Sequence, residues 1–189
     1  MPNEHEFTRG INPLCPDDSL WTARDEQSSE DEVNEFLHAL VRLIKPRHIV
    51  ETGCYLGDAT IAMARALKRN NAGVIITCDI VPERVEAVQR RILEEGLEKW
   101  AYVILSDGKS LIARSGSQTD FAFIDSGPEG AVRGAEIEEL LKHLRPLKMF
   151  ALHDTAPQAR QISAVADAIR LPKVYFNTPR GLSLFMRPM

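Results

Sequence analysis

The chain has 189 residues, a length and composition typical of one globular domain with its own core, and its formal net charge is −4 at pH 7. This negative balance argues against a general nucleic-acid-binding protein, because such proteins usually carry a basic patch or stripe. The polar N-terminus lacks the pattern of a signal peptide, and no apolar run approaches the roughly 18 residues of a membrane span, so we expect no membrane partner.

The first part of the sequence combines a polar arm with a helix. Residues 1–28 are polar and are predicted to form an N-terminal arm without a core of its own, docked through Leu20 and Trp21. The segment Ser29-Glu30-Asp31-Glu32 has the form of a capping box at a helix start. The apolar residues that follow recur at helical spacing: Val33, Phe36, Leu37, Leu40 and Ile44. Residues 29–189 are predicted to form a single domain.

Five strand-like segments follow, and each runs into a carboxylate. They cover about residues 48–52, 74–79, 101–105, 121–125 and 148–153, and the carboxylates are Glu51, Asp79, Asp107, Asp125 and Asp154. Helical patterns or short loops separate them, which predicts an α/β fold with a parallel sheet and helices on both faces. Because ligands of open parallel sheets bind outside the carboxyl ends of the strands, the sequence predicts one acidic rim. Such a rim suits a ligand with cationic centres, sugar hydroxyls or a metal, and suits a phosphate-rich ligand poorly.

Helices are predicted between the strands and after the last of them. The first two run from Asp58 to Arg69 and from Pro82 to the residue before Gly96. Two later patterns place apolar residues on one helix face: Ile137, Leu140, Leu141 and Leu144, then Ile162, Val165, Ala166 and Ile169. Two short final strands, about 173–176 and 182–186, flank a turn signal at Thr178-Pro179-Arg180-Gly181 and predict a closing hairpin.

The turn after the first of the five strands decides between ligand classes. It reads Glu51-Thr52-Gly53-Cys54-Tyr55-Leu56-Gly57-Asp58-Ala59-Thr60. A dinucleotide fingerprint, Gly-x-Gly-x-x-Gly, counted from Gly53 would need glycine in place of Tyr55 and Asp58. A bulky side chain and a negative charge both oppose pyrophosphate, so an NAD-dependent oxidoreductase is the weaker alternative.

The pattern Glu-x-Gly-x-x-x-Gly-x-x-Thr resembles motif I of the class I S-adenosylmethionine-dependent methyltransferases. The resemblance continues through Asp79, Asp107 and Phe123-Ile124-Asp125 at later strand ends, and it spans about residues 33–186. It implies a Rossmann-like methyltransferase fold, with a mixed seven-stranded sheet in the order 3-2-1-4-5-7-6 and the last strand antiparallel. The single domain over residues 29–189 would then be a methyltransferase domain.

The same resemblance implies how S-adenosylmethionine binds. The glycine turn passes under its methionine part, Asp79 binds both ribose hydroxyls, Ile80 packs on the adenine face and Asp107 takes the adenine amino group. The cofactor-binding residues expected on this basis are Glu51, Gly53, Tyr55, Gly57, Thr60, Asp79, Ile80, Asp107, Gly108 and Asp125. Taken alone, Asp79 and Asp107 are also ordinary helix-cap or turn residues.

The fourth strand ends in Phe123-Ile124-Asp125 and the fifth in Leu152-His153-Asp154-Thr155. These ends resemble those of the catechol-type, cation-dependent O-methyltransferases, and more closely those of a bacterial branch whose fifth strand ends in His-Asp. In the catechol-type enzymes an Asp after strand 4 and an Asp-Asn pair after strand 5 bind Mg²⁺. The resemblance therefore implies Mg²⁺ as a second cofactor, held by Asp125, Asp154 and, in place of the Asn, Thr155.

One departure from the catechol-type pattern concerns the catalytic base. Those enzymes carry a catalytic lysine three residues after the strand 4 aspartate, and Pro128 stands at that position here. His153 and Asp154 are the candidates for the general base, and bound Mg²⁺ that lowers the pKa of the acceptor hydroxyl is a third route. His153 is equally open to a structural reading as a buried residue at the strand end.

Three further charged residues lie near the predicted site. Glu129 and Arg133 follow the fourth strand and could touch the substrate, but the expected arrangement there is a solvated helix start. Arg180 lies in the closing hairpin, which borders the acceptor pocket in the fold that the resemblance implies, and it could bind an acidic acceptor.

The sequence thus predicts an S-adenosylmethionine-dependent methyltransferase that acts on a hydroxyl of a small molecule. A non-catalytic S-adenosylmethionine-binding protein on the same fold is the alternative that the missing lysine and Thr155 leave open. The three cysteines, Cys15, Cys54 and Cys78, form no Cys-x-x-Cys pair and indicate a reducing, cytoplasmic location. The short chain leaves little material for a lid over the acceptor, which the partner in a homodimer could supply.

Overall fold

The computed structural model describes residues 5–6, 12–143 and 147–187 of the chain. Its helices are α1 (Asp31–Ile44), α2 (Asp58–Asn70), α3 (Pro82–Glu94), α4 (Gly108–Ser115), α5 (Gly130–Leu141) and α6 (Arg160–Ala168). Its strands are β1 (His5–Glu6), β2 (Thr22–Ala23), β3 (His48–Thr52), β4 (Val74–Asp79), β5 (Ala101–Leu105), β6 (Phe121–Ile124), β7 (Met149–His153), β8 (Lys173–Phe176) and β9 (Leu182–Met186). Within these described residues, no helix is both long and apolar enough to cross a membrane.

Strands β3 to β9 form one seven-stranded sheet in the order β5-β4-β3-β6-β7-β9-β8. Strands β3 to β7 pair in parallel, and β9 runs antiparallel to both β7 and β8. The central strands are buried on both faces, which is why their sequences are nearly continuous apolar runs. This arrangement confirms the predicted Rossmann-like methyltransferase fold, its strand order and its antiparallel last strand.

Two hydrophobic clusters hold the helices against the two faces of the sheet. Helices α1, α2 and α3 contribute to the first cluster, and α4, α5 and α6 contribute to the second. Along β6, Phe121 and Phe123 belong to the first cluster, whereas Ala122 and Ile124 belong to the second. This alternation follows from successive side chains of a strand pointing to opposite faces, and it leaves the strand ends free to carry polar groups.

Helix α4 lies where the sequence analysis predicts no helix. It has eight residues and buries only two large apolar side chains, so its periodicity is too short to recognise. Its start is fixed by Asp107, whose carboxylate accepts the backbone N–H of Ser110 at 2.8 Å. Leu144, predicted on the apolar face of the next helix, lies outside the described residues.

The capping-box prediction at the start of α1 is wrong. The residue before the helix is Glu30, and its side chain makes no cap hydrogen bond. Its carboxylate instead binds His153, which is 123 positions later in the sequence. The Glu32 carboxylate, expected to close the capping box, accepts the backbone N–H of Thr22 at 3.3 Å.

The N-terminal arm binds the domain mainly through polar contacts. Leu20 is 73% exposed, so its predicted docking role is wrong, and Trp21 is only partly buried. Arg24 makes a bidentate ion pair with Asp58 at the start of α2, with nitrogen–oxygen distances of 2.9 and 2.6 Å. This pair brings the end of the arm beside the carboxyl ends of the strands.

Candidate functional site

A cavity of about 600 Å³ opens at the carboxyl ends of the parallel strands. Eight carboxylates and two arginines line it, so the structure contains the acidic rim that the strand ends predict. The carboxylates are Glu51, Asp58, Asp79, Asp107, Asp125, Glu129, Glu136 and Asp154, and the arginines are Arg84 and Arg180. This excess of negative charge attracts cationic ligands and repels phosphate-rich ones.

The turn between β3 and α2 lines the cavity with backbone. Gly53, Tyr55 and Gly57 all have positive φ angles, of 79°, 46° and 87°. A side chain at Gly53 would collide with the carbonyl oxygen of Asp125, because the end of β6 passes directly beside the turn. The backbone N–H of Gly53 donates to the carbonyl oxygen of Cys78 at 3.0 Å. The turn is therefore fixed between the ends of two strands.

Glu51 is buried at the end of β3 and reaches the cavity. Its carboxylate accepts the hydroxyl of Thr60 from the first turn of α2. Burial raises the pKa of Glu51 to about 7, because the hydrogen bond from Thr60 offsets the loss of solvation only in part. The carboxyl group therefore changes its charge close to neutral pH.

We expect the substitution Glu51→Gln to remove a pH dependence of stability. The folded chain binds the Glu51 proton more tightly than the unfolded chain, so the wild-type free energy of unfolding falls as the pH rises from 4.5 to about 7. Over this pH range, the free energy of unfolding of the wild type should fall by about 3 kcal/mol more than that of the Gln variant. Urea denaturation of both proteins at about pH 4.5 and about pH 7.5 measures this effect. If the difference in free energy of unfolding between the two proteins is the same at both pH values, the raised pKa of Glu51 is contradicted.

Asp79, at the end of β4, is held in place by backbone groups. It is buried and accepts the N–H groups of Tyr55 at 3.2 Å and Val81 at 2.9 Å. Arg84 lies 3.7 Å from the same carboxylate and stacks over the Tyr55 ring, 4.8 Å from the ring centroid. The next residue, Ile80, is 72% exposed and lines the cavity, so an apolar surface is available to a ligand beside the acid.

The other predicted cofactor residues divide into two groups. Asp107 and Gly108 line the cavity at the start of α4, and hydrogen bonds from Ser110 hold the pKa of Asp107 below its usual value. Gly57 and Thr60 instead support the turn from behind: Gly57 precedes α2 and lies against α3, and Thr60 holds Glu51. The first group can touch a ligand, and the second can act only by positioning the turn.

His153, the last residue of β7, has a carboxylate at each ring nitrogen. Nε2 lies 2.6 Å from Glu30 Oε2, and Nδ1 lies 3.2 Å from Asp125 Oδ1. A carboxylate at each nitrogen favours the imidazolium form, in which both ring nitrogens are donors. Burial alone would lower the pKa of His153, but the charges of the neighbouring carboxylates outweigh it and hold the pKa well above its usual value. An imidazolium cannot accept a further proton, so the geometry favours the structural reading of His153 over the predicted base role.

Asp154 follows β7 and reaches the cavity, with 23% of its side chain exposed. Its Oδ2 accepts a hydrogen bond from Arg133 at 3.1 Å, and its Oδ1 lies 3.1 Å from Nε of Arg180. Burial would raise the pKa of Asp154, but the positive charges of His153 and the two arginines outweigh it and hold the pKa below its usual value. Asp154 is thus an ionised carboxylate, and it is the member of the predicted catalytic pair that lines the cavity.

Arg133 contradicts the expectation of a solvated helix start, because only 1% of its side chain is exposed. Its guanidinium lies between Asp125 and Asp154, at 3.2 and 3.1 Å. It also donates to the backbone carbonyl oxygens of Ile124, Ser126, Gly127 and His153. Arg133 therefore ties the end of β6 to the end of β7. Glu129, by contrast, is exposed as expected.

The predicted metal ligands come together only in part. Atoms of Asp125, His153 and Asp154 that could bind an ion lie within 4.8 Å of one another. The Nδ1 atom of His153 already contacts Asp125 at 3.2 Å, though, and the guanidinium of Arg133 contacts both carboxylates. Thr155 is buried, and its hydroxyl accepts a hydrogen bond from Ser183 at 3.0 Å. The residues as arranged do not fit Mg²⁺.

Comparison with known proteins identifies the family. A family model described as a methyltransferase domain matches residues 50–155, more than half of the chain. The chain belongs to this family. It is also 33% identical over 98 residues to a catechol O-methyltransferase of Niastella koreensis, a match that covers 49% of this chain and 42% of the relative. The match therefore spans less than half of that relative's length.

Solved structures confirm the fold independently. The SAH-bound methyltransferase PaMTH1 of Podospora anserina has a TM-score of 0.74 at 15% identity, covering 88% of this chain and 82% of that chain. The O-methyltransferase of Bacillus cereus in complex with SAH has a TM-score of 0.71 at 18% identity, covering 86% and 84%. At these identities the likeness concerns the fold, and it agrees with the predicted methyltransferase sheet.

Two carboxylates of this site have roles that the sequence analysis does not foresee. Glu30, the residue before α1, accepts hydrogen bonds from the hydroxyl of Thr178 at 2.8 Å and from the backbone N–H of Arg180 at 2.9 Å, in addition to its contact with His153. Glu136 on α5 accepts a hydroxyl of β3 and one of the loop after β6, and burial raises its pKa. Gln27 and Ser28, at the end of the arm, and Ser29, the next residue, line one side of the cavity.

Proposed function

We propose that this methyltransferase domain transfers a methyl group from S-adenosylmethionine to a hydroxyl of a small molecule. The observation that carries the proposal is the cavity beside the Glu51–Thr60 turn, lined by eight carboxylates against two arginines. S-adenosylmethionine carries a sulfonium and an ammonium group and no phosphate, so its charge complements this lining. The catechol O-methyltransferase relative and the SAH-bound structures of the same fold support the choice of cofactor and of acceptor atom.

The two ends of the cavity have different roles in this proposal. At one end, Asp79 accepts hydrogen bonds from the ribose hydroxyls, Ile80 packs on the adenine and Asp107 accepts from its amino group. The exposed surface of Ile80 and the backbone contacts that orient Asp79 support these roles. At the other end, Asp154 and Arg180 face the acceptor, and both line the cavity with partly exposed side chains.

Asp154 is the proposed proton acceptor. When bound, S-adenosylmethionine supplies the methyl group, whose bond to sulfur breaks as the bond to the acceptor oxygen forms. Asp154 receives the hydroxyl proton and holds the oxygen in line with the methyl group, since much of the rate gain in such a displacement comes from alignment. His153 acts through its neighbours, because its hydrogen bonds with Asp125 and Glu30 fix the end of β7.

A non-catalytic S-adenosylmethionine-binding protein is the second candidate. It is favoured by one observation: both oxygens of Asp154 already have an arginine partner, which weakens the carboxylate as a base. Turnover separates the two candidates, since both bind the cofactor and only one consumes it.

The test is calorimetric titration with S-adenosylhomocysteine (SAH), followed by transfer of labelled methyl from S-adenosylmethionine to a panel of catechols and sugars. We expect saturable SAH binding, methylation of at least one acceptor, and in Asp154→Asn a loss of about 100-fold or more in turnover with SAH affinity unchanged. SAH binding without turnover on any acceptor favours the binding protein. Saturable NAD binding without SAH binding would overturn both candidates.

A further inference from the structure

Arg133 fills the position that a divalent cation would need in this site. The side chains of Asp125 and Asp154 extend from the ends of neighbouring parallel strands, and such paired carboxylates are a common ligand set for Mg²⁺ or Mn²⁺. One guanidinium nitrogen of Arg133, Nη2, lies 3.2 Å from Asp125 and 3.1 Å from Asp154. A positive charge of the protein itself thus bridges the two carboxylates.

The guanidinium cannot move aside easily. Its other nitrogens donate to four backbone carbonyl oxygens at distances from 2.7 to 3.1 Å, and only 1% of the side chain is exposed. Moving Arg133 out would remove a donor from the buried carbonyl oxygens of Ile124 and His153, and a buried acceptor that is left unsatisfied costs about 1–3 kcal/mol. An incoming ion would have to offset all of these losses.

The two carboxylates already have cationic partners in the protein itself. Arg133 Nη2 lies 3.2 Å from Asp125 and 3.1 Å from Asp154, and Arg180 Nε lies 3.1 Å from Asp154. A divalent cation between Asp125 and Asp154 would lie next to these two guanidinium groups, whose positive charges repel it.

We propose that Arg133 takes the place of a divalent cation in this methyltransferase domain, and that methyl transfer proceeds without one. Arg133 is a positioning residue here: it holds Asp154 beside the cavity and neutralises the two carboxylates. The proposal rests on the proposed function for its consequence in catalysis, but the ion-excluding arrangement itself is a property of the described residues and is measurable without turnover.

The test is titration of the purified full chain with Mn²⁺, with free Mn²⁺ followed by electron paramagnetic resonance. We expect no stoichiometric binding by the wild type up to about 1 mM Mn²⁺. In Arg133→Ala two carboxylates face the space left by the guanidinium, so we expect one bound Mn²⁺ with at least about tenfold higher affinity than in the wild type. A merely structural arginine would give no such gain.

Three controls make the result specific. Arg65→Ala removes an exposed arginine that pairs with Glu95 at 2.7 Å, and it should gain no Mn²⁺ affinity. The double variant Arg133→Ala, Asp154→Asn should lose the gain, because only one of the two carboxylates remains. SAH titration of the same samples tests the proposed function separately, since SAH can fail to bind while the Mn²⁺ results stand.

Two outcomes would overturn the proposal. One is stoichiometric Mn²⁺ binding by the wild type that Asp154→Asn abolishes. The other is an Arg133→Ala protein that is folded by circular dichroism yet gains no Mn²⁺ affinity. If Arg133→Ala does not fold, the wild-type and Asp154→Asn titrations decide the question alone.

Discussion

Asp79→Ala is expected to weaken the binding of SAH about 100-fold. In the proposed complex the Asp79 carboxylate accepts two ribose hydroxyls, and hydrogen bonds to a charged group contribute about 1.5–3 kcal/mol each. A combined loss of about 3 kcal/mol corresponds to about 100-fold in the dissociation constant. Calorimetric titration of the wild type and the variant with SAH measures the difference directly.

The control for this experiment must separate lost ligand contacts from a disturbed turn. Asp79 also accepts the backbone N–H groups of Tyr55 and Val81, so the variant must be shown to melt cooperatively before its affinity is interpreted. Asp167→Ala is a matched control, because its carboxylate is 72% exposed on α6 and pairs only with the side chain of Lys173 in the contacts described. Wild-type affinity in a folded Asp79→Ala protein would remove the main support for the proposed cofactor site.

The fold was predictable because its signals are local. Strand β4 and the two strands of the closing hairpin have the predicted bounds, since each is a short apolar or β-branched run between turn residues. The rule that parallel strands present their carboxyl ends at one edge then places Asp79 and Asp154 at the same cavity. Residue spacing and one topological rule were sufficient for this part of the site.

The spacing of residues in the sequence could have indicated that Arg133 is buried. Arg133, Ile137 and Leu140 are separated by four and three residues, and all three are buried on α5. Arginine side chains are mostly exposed to solvent, and that general tendency gave the wrong expectation here. An arginine whose spacing places it on the apolar face of a helix is better interpreted as a buried cation that requires anionic partners.

The contact between Glu30 and His153 could not be predicted in the same way. The two residues are separated by 123 positions in the sequence, and Glu30 lies in a segment that resembles an ordinary capping box. The charge state of His153 depends on that distant partner, because Asp125 alone would leave the second ring nitrogen free. The sequence therefore identified the histidine but not its role.

The largest expected effect on stability comes from Glu30→Ala. Glu30 is completely buried, and it binds the imidazolium of His153, the hydroxyl of Thr178 and the backbone N–H of Arg180. Removing the carboxylate takes one of two anionic partners from the buried imidazolium and leaves the buried Thr178 hydroxyl without this acceptor, and breaking a buried ion pair in this way costs about 3–5 kcal/mol. Urea denaturation at neutral pH measures the free energy of unfolding of the variant and the wild type.

The pH dependence gives this prediction a second, independent test. The charge of His153 holds the pKa of Glu30 below its usual value against the effect of burial, and the pKa of His153 is raised, so the pair stabilises the fold across neutral pH. This stabilisation is lost as the pH falls through the lowered pKa of Glu30, and again as it rises through the raised pKa of His153. The difference between the wild type and Glu30→Ala should therefore be largest near neutrality. Glu35→Ala, an exposed substitution on the same helix, should change stability by less than about 0.5 kcal/mol. A loss in Glu30→Ala no larger than in this control would show that His153 is not held as a buried cation.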